Sequence, residues 1–126
     1  MTRRLLIVDD ALIIREKIKD AAREAGWEIA GEATNGAEAI EAYTALRPDS
    51  VTLDLVMPQF DGLHALRGIR AADPNARVVV VSALEQKAIL KEAFRNGAAD
   101  FVLKPFAKSD LLATLQRACP AEEPVA

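Results

Sequence analysis

Four short and solidly apolar runs are the feature that most constrains the fold of this chain. They cover residues 5–8, 51–53, 78–81 and 101–103. Each run has the length of one strand, and each is followed by a longer stretch in which apolar residues recur every three or four positions. Strands that are apolar on both faces are typical of parallel sheets with helices on both sides. The chain is therefore predicted to alternate strand and helix.

The stretches between the runs carry apolar residues at the spacing of one helix face. These positions are Ile14, Ile18, Ala21, Ala22 and Ala25; Ala39, Ile40, Tyr43 and Leu46; Leu63, Leu66 and Ile69; Leu90, Ala93 and Phe94; and Leu111, Leu112, Leu115 and Ala118. Gly26 and Gly97 are placed to end the first and fourth helices. Residues 28–33 form the weakest strand, and their polar ends suit the edge of a sheet.

Five strand–helix units predict an α/β fold, because parallel neighbours need a right-handed crossover between them. We expect a flavodoxin-like doubly wound five-stranded parallel sheet of order 2-1-3-4-5 with five helices. In that order the ligand crevice lies at the carboxyl ends of strands one and three, where the strand order reverses. The residues that end the strands are therefore the candidates for function.

Those strand ends carry chemically active side chains. Asp9 and Asp10 follow the first run, Asp54 follows the second, and Ser82 and Lys104 follow the next two. Three carboxylates crowded together need a cation or shifted pKa values, and hard oxygen ligands suit Mg2+. A carboxylate beside Mg2+ can attack an activated phosphorus, while an ammonium and a hydroxyl bind the phosphoryl oxygens. Taken alone, paired aspartates before a helix fit simple N-capping equally well.

Composition limits the other classes of function. The 126 residues are 51% hydrophobic, which fits one compact domain over residues 1–120 followed by a short acidic tail, residues 121–126. A formal net charge of -3 argues against a nucleic-acid-binding surface. No segment has the length of a signal peptide or membrane span, and Cys119 is the only cysteine. We therefore expect a cytoplasmic protein with no membrane insertion.

The chain resembles the receiver domain of two-component response regulators, and most closely its chemotaxis branch. The matching motifs are Asp9-Asp10, Asp54-Leu55-Val56-Met57-Pro58, Asp61-Gly62, Ser82-Ala83, Gly97-Ala98 and Lys104-Pro105-Phe106. Their order and spacing together are specific, although each piece alone is weak. The strand order 2-1-3-4-5 is also the order of this family, so the predicted order and the resemblance are not independent of each other.

The resemblance implies a metal site built on the acidic residues. Asp54 corresponds to the phosphoacceptor. Asp10, Asp54 and the backbone carbonyl of Val56 correspond to direct Mg2+ ligands, and Asp9 to a ligand acting through water. Mg2+ is thus the expected cofactor.

It also implies a switch on the other side of the crevice. Lys104 corresponds to the partner of the phosphate, Ser82 to the hydroxyl that moves towards it, and Phe101 to the aromatic switch residue. The bond between Lys104 and Pro105 corresponds to a cis peptide of the family. We expect a signalling receiver that catalyses only its own phosphorylation and dephosphorylation.

The expected partners are proteins. The phosphodonor is a sensor histidine kinase, and the output protein binds the face of helix 4, strand 5 and helix 5. That face is expected around Lys87, Lys91, Arg95, Phe101 and Lys108, on a protein that is a monomer when unphosphorylated.

Several other interpretations remain open from the sequence. The chain can be a receiver cut from a larger transcriptional or enzymatic regulator, or a Mg2+-dependent aspartyl-phosphate phosphotransferase with an external substrate. A flavin or nucleotide module on the same fold is disfavoured, since no Gly-rich phosphate loop follows the first strand. His64, Trp27 and Cys119 are expected to be an exposed bystander, a packing residue and a bystander near a helix end.

Two departures from the family concern the lifetime of the phosphorylated form. Val56 and Leu84 are apolar at positions where polar residues in the family help to orient the hydrolytic water. We expect slow dephosphorylation as a result.

Overall fold

The computed structural model describes residues 2–57, 61–83 and 87–120. Its strands are β1 (Arg4–Val8), β2 (Glu28–Ala33), β3 (Ser50–Asp54), β4 (Val78–Ala83) and β5 (Asp100–Lys104). Its helices are α1 (Leu12–Glu24), α2 (Gly36–Leu46), α3 (Asp61–Ala72), α4 (Lys87–Arg95) and α5 (Lys108–Ala118). All strand pairs are parallel, and the order is β2-β1-β3-β4-β5, which confirms the predicted fold.

The register brings the carboxyl ends of the central strands together. Val8 pairs with Leu53, Asp54 with Val81, and Ala83 with Lys104. Every residue of β3 is buried, because helices cover both faces of the sheet there. β2, the polar strand, lies at the edge as expected.

Two hydrophobic clusters fill the two faces of the sheet. On one face, the buried residues include Tyr43 of α2, Leu66 and Ile69 of α3, and Ala93 of α4. On the other face, Ile18 of α1, Leu111 and Leu115 of α5, and Trp27 form the second cluster. The periodic apolar positions of the sequence therefore supply both cores. Trp27 is a packing residue as predicted, and Cys119 is buried just after α5.

Helix ends follow from local residue chemistry. Gly26 and Gly97 have φ values of +88° and +95°, which other residues rarely adopt, so both end their helices as predicted. Asn35 caps α2 by accepting a hydrogen bond from the Glu38 N–H at 2.9 Å, and the Glu38 carboxylate accepts one from the Thr34 N–H.

Two residues of the predicted apolar helix faces are exposed to solvent. Ala25 was predicted on the buried face of α1 but is exposed, because the helix ends at Glu24 and Ala25 is its C-cap. Phe94 lies on the apolar face of α4 but is 43% exposed, although one edge of its ring packs against Phe101 with ring centroids 5.9 Å apart. His64 is exposed as predicted. Within the described residues, no helix has the length and apolar character that a membrane span requires.

Candidate metal and phosphoryl site

The three acidic residues meet where β1 and β3 end. Asp9 directly follows β1, Asp10 is next to it, and Asp54 is the last residue of β3. One carboxylate oxygen from each lies within 4.8 Å of the other two. Asp9 and Asp54 are buried, whereas Asp10 is exposed. The carboxylates thus form a group that is closed at its base and open to solvent on the Asp10 side.

Asp9 is held by several hydrogen bonds. Its Oδ1 accepts from the Ala11 N–H at 2.9 Å, which forms an Asx turn just before α1. Its Oδ2 accepts from Lys104 Nζ at 3.0 Å, and its backbone carbonyl accepts from Arg15 Nη1 at 2.8 Å. The simple N-capping interpretation is therefore wrong: Ala11 is the N-cap of α1, and no side chain caps the helix. The Asp9 carboxylate instead joins the turn before α1 to Lys104.

Lys104 reaches the acidic group from the end of β5. Its Nζ lies 3.0 Å from Asp9 Oδ2 and 3.5 Å from Asp54 Oδ2. The peptide bond between Lys104 and Pro105 is cis, as the sequence resemblance implied. One ammonium faces three carboxylates, so the site keeps an excess of negative charge that a divalent cation can offset.

Burial raises the pKa of the Asp54 carboxyl to about 6. The Lys104 ammonium acts in the opposite direction, and the nearby Asp9 and Asp10 carboxylates raise the value further. Asp54 Oδ1 also accepts a hydrogen bond from the Val56 N–H at 3.1 Å, which favours the charged form. A cation that binds beside Asp54 relieves the cost of its buried charge, and this relief strengthens the binding of the cation.

Ser82 lies beside the site on β4, whereas Phe101 lies three residues before Lys104 on β5 and pairs with Val80. Ser82 lies one residue beyond Val81, the register partner of Asp54, and is fully buried. Its Oγ donates a hydrogen bond to the Ala83 carbonyl at 3.2 Å. Phe101 is half-buried on β5 and packs against the core on the side of α4. The side chains predicted from four strand ends thus lie at one edge of the sheet.

The donor set fits Mg2+. Three carboxylate oxygens converge with one side open, which leaves room for the water ligands that Mg2+ keeps. Val56 is half-buried two residues beyond Asp54. The family motif implies its carbonyl as a further hard oxygen ligand.

The chain matches the response regulator receiver domain over residues 5–116. It is 48% identical to the chemotaxis protein CheY of Thermotoga maritima, over 93% of this chain and 98% of that one. It is 39% identical to the transcriptional regulatory protein PdtaR of Mycobacterium tuberculosis, over 92% of this chain and 56% of PdtaR. A chain of the CheX-CheY-BeF3-Mg2+ complex from Borrelia burgdorferi superposes with a TM-score of 0.85 at 33% identity, over 90% of this chain and 87% of that one.

The chain belongs to the response regulator receiver family, whose fold and acidic strand ends it shares. Within that family, its similarity to CheY proteins shows that it is a phosphoaccepting signalling switch of the chemotaxis type.

The sequence did not indicate one contact of the site, and it did not indicate that Lys108 lies apart from the basic residues of α4. Arg15 binds the Asp9 carbonyl, and no pattern indicated this, because a long side chain on α1 can point in several directions. Lys108 was grouped with Lys91 and Arg95, but its Nζ pairs with Glu24 of α1 at 2.7 Å. Its charge is therefore held on the α1 side of the sheet, away from α4. Pro58 and Leu84 lie outside the described residues.

Proposed function

We propose that Asp54 accepts a phosphoryl group from a sensor histidine kinase and that the acyl phosphate changes protein binding. The observation that carries this proposal is the buried Asp54 carboxylate, which lies within 4.8 Å of the Asp9 and Asp10 oxygens and 3.5 Å from the Lys104 ammonium. Such a carboxylate is a strong candidate for the nucleophile because its negative charge is poorly solvated. The proposed receiver covers residues 1–120, with residues 121–126 as a tail outside the described residues.

In this proposal Asp10, Asp54 and the Val56 carbonyl bind Mg2+ directly, and Asp9 binds it through water. The cation, when bound, screens the repulsion between the attacking carboxylate and the phosphoryl oxygens. Asp54 Oδ attacks phosphorus and the bond from phosphorus to the kinase histidine breaks, so the electron pair returns to the imidazole.

Lys104 and Ser82 supply the response to the new group. Lys104 Nζ already lies between Asp9 and Asp54, so it can turn from Asp9 to a phosphate oxygen with little movement. Ser82 Oγ can exchange the Ala83 carbonyl for a phosphate oxygen. The phosphate adds about -1.5 to -2 charge, and the new charge-assisted hydrogen bonds favour the state in which Phe101 turns inward. A nearly complete switch needs about 5.5 kcal/mol of differential interaction.

Incubation with radiolabelled acetyl phosphate and Mg2+ tests the acceptor. We expect one phosphoryl group per chain in the wild type and none in Asp54→Asn, while the matched control Asp20→Asn, at an exposed position of α1, labels normally. EDTA should abolish labelling. Label that persists in Asp54→Asn contradicts the assignment, and repeated turnover of external phosphoesters would instead favour the aspartyl-phosphate phosphotransferase.

We propose that the output partner binds the face formed by α4, β5 and α5. Lys87, Lys91 and Arg95 are exposed on α4, and Phe94 adds an exposed aromatic edge that packs on Phe101. Because Phe101 contacts both the core and Phe94, its movement would change this surface directly.

The Borrelia burgdorferi relative is found with CheX, which suggests a CheX-type protein as the probe for this surface. We expect the BeF3- and Mg2+-treated chain to bind it, and Lys91→Glu with Arg95→Glu to weaken binding at least tenfold. Lys17→Glu with Arg23→Glu, on α1 across the sheet, is the matched control. Undiminished binding by the α4 variant contradicts the proposed surface.

We propose a cytoplasmic protein that is a monomer when unphosphorylated. Sedimentation with and without BeF3 and Mg2+ measures the second point directly. A receiver that forms part of a larger regulator is the second candidate, because the chain spans just over half of PdtaR. The labelling result is the same for both, and the length of the gene product separates them.

A further inference from the structure

The amino-terminal edge of the sheet, opposite the acidic site, carries a pocket lined by four arginines. Arg3 precedes β1, Arg4 opens it, Arg47 follows α2 and Arg77 precedes β4. The cavity between them measures about 220 Å³. These four residues come from three separate segments, which only the folded chain brings to one pocket.

The pocket concentrates positive charge in an acidic protein. Among its described lining residues Asp49 is the only acidic one, so the lining has a formal charge of +3 in a chain of -3. Asp49 Oδ2 accepts a hydrogen bond from the Arg4 backbone N–H at 2.7 Å and is directed at the chain rather than at a guanidinium. The pocket therefore attracts anions although the whole molecule does not.

Two of the guanidinium groups are positioned by neutral acceptors. Arg3 Nη1 donates to Gln116 Oε1 and to the Cys119 carbonyl, both at 2.8 Å. Arg4 Nη1 donates to the Leu46 carbonyl at 2.6 Å. Across the described residues, neither guanidinium forms an ion pair. These contacts orient the two arginines without cancelling their charge.

The other two arginines are more exposed. Arg47 Nη1 lies 3.9 Å from an Asp73 oxygen, a distant pair on a side chain that is 58% exposed. Arg77 Nη1 donates weakly to Cys119 Sγ at 3.5 Å. Both can turn towards a bound anion, because they have few strong contacts to lose.

We propose that this arginine pocket binds a diphosphate group. Guanidinium forks match phosphate oxygens two at a time, and four arginines spread around one cavity suit the charge and the length of two linked phosphates. The cavity is smaller than a usual site for a drug-sized ligand, which fits a compact anion better than a protein segment. No aromatic side chain is among its described lining residues, so a nucleoside attached to the diphosphate would contribute little binding.

Calorimetric titration with inorganic pyrophosphate in EDTA tests the proposal, because without Mg2+ the acidic site has no means to bind it. We expect Arg77→Gln and Arg47→Gln each to weaken binding at least tenfold, and Asp49→Asn to tighten it severalfold. Arg23→Gln, which removes an equal charge on α1 outside the pocket, should have little effect. Equal loss in Arg23→Gln would overturn the proposal, because it would show unspecific charge attraction.

Other anions identify the chemical class and its source. ADP that binds as well as pyrophosphate supports a nucleotide source, and ADP that binds much more weakly supports free pyrophosphate. AMP or inorganic phosphate binding as tightly as pyrophosphate overturns the assignment to a diphosphate. Glu122 and Glu123 follow closely after Pro120, which lines the pocket. Binding seen only in Glu122→Gln with Glu123→Gln would also overturn it, since the chain's own acids would then be the natural occupant.

The proposal is independent of the function assigned to the acidic site. Arg77→Gln should accept label from acetyl phosphate at Asp54 like the wild type, and its unfolding midpoint without ligand should be nearly unchanged. Loss of pyrophosphate binding by a variant that labels and folds normally would place the binding site in the arginine pocket.

Discussion

Asp54 shows how one residue combines stability and function. Its carboxyl closes a strand that is buried along its whole length, and this burial raises its pKa to about 6. A protonated carboxyl is neutral, whereas the charged form that chemistry requires is unfavourable in the absence of a cation. The buried charge of Asp54 therefore destabilises the metal-free chain and raises the affinity of the site for a divalent ion.

The raised pKa of Asp54 predicts that the unfolding free energy depends on pH in EDTA. Because folded Asp54 binds its proton more tightly than the unfolded chain does, stability should fall as pH rises from about 4 to about 6 and then level off. Asp54→Asn removes this loss, so its advantage over the wild type should grow from near zero at pH 4 to about 1–2 kcal/mol at pH 7. Urea unfolding at both pH values measures it.

Asp20→Asn removes an exposed carboxyl and should change stability by less than about 0.5 kcal/mol at either pH. An advantage of Asp54→Asn that stays constant with pH would contradict the role of burial. At saturating Mg2+ the wild type should become more stable than Asp54→Asn, since only the wild type has all three carboxylates.

Val56 and Leu84 give a second prediction at this scale. Val56 is half-buried beside the acidic group, and its apolar side chain offers no hydrogen bond to an attacking water. We expect Val56→Asn with Leu84→Glu to shorten the lifetime of the acyl phosphate severalfold. Decay of radiolabelled protein after removal of the donor measures this. A slower double variant would contradict it, and Val56→Ala serves as a control that changes size without adding polarity.

At the scale of elements, the approach of α3 to the end of β3 shapes the site. Gly62 lies in the first turn of α3, and a Cβ atom there would overlap the backbone of Leu55, the residue after Asp54. Backbone atoms cannot move aside as a side chain can. The sequence motif Asp61-Gly62 therefore has a steric reason, which is the close contact between helix and loop.

We expect Gly62→Ala to destabilise the protein by about 2–3 kcal/mol and to impair phosphorylation, because the loop after Asp54 must shift. Gly31→Ala in β2 is the matched control. Its Cβ would lie 2.8 Å from Leu46 Cδ1, the mobile end of a side chain, so we expect a loss below about 1 kcal/mol and normal labelling. Denaturant unfolding and acetyl phosphate labelling provide both readouts. Equal effects from the two substitutions would argue against the backbone contact.

At the scale of the whole molecule, the sheet separates two ends and two faces. The acidic site lies at the carboxyl ends of the strands, and the arginine pocket lies at their amino ends. Phe101 packs with the cluster of α2, α3 and α4, whereas Trp27 packs with the cluster of α1 and α5. The guanidinium carbon of Arg3 lies 4.4 Å from the Trp27 ring centroid, which holds Trp27 near the arginine pocket.

This arrangement predicts what the single tryptophan reports. Trp27 fluorescence should change strongly on unfolding but by only a few per cent when BeF3 and Mg2+ are added, because the acidic site is at the other end of the sheet. Phe94→Trp adds a reporter beside Phe101 and should respond clearly to the same addition. A large response from Trp27 would contradict this prediction, because it would show that phosphorylation reorganises the face of α1 and α5.

Much of the fold and site could be predicted from sequence because both depend on short patterns. Apolar runs identify strands, and the parallel sheet brings Asp9, Asp54, Ser82 and Lys104 to one edge whatever the detailed packing. The exposed Phe94 was missed because the period of a helix does not show how far its neighbours extend over each side chain.

The sequence by itself determined the strand and helix order and the chemistry at the strand ends, since both follow from local periodicity and parallel pairing. Only the tertiary structure decided which long side chains meet. Arg15 on Asp9, Lys108 on Glu24 and the four arginines around one pocket have no shared pattern in the chain. Long flexible side chains reach several ångströms from their backbone, so their partners depend on packing between distant segments.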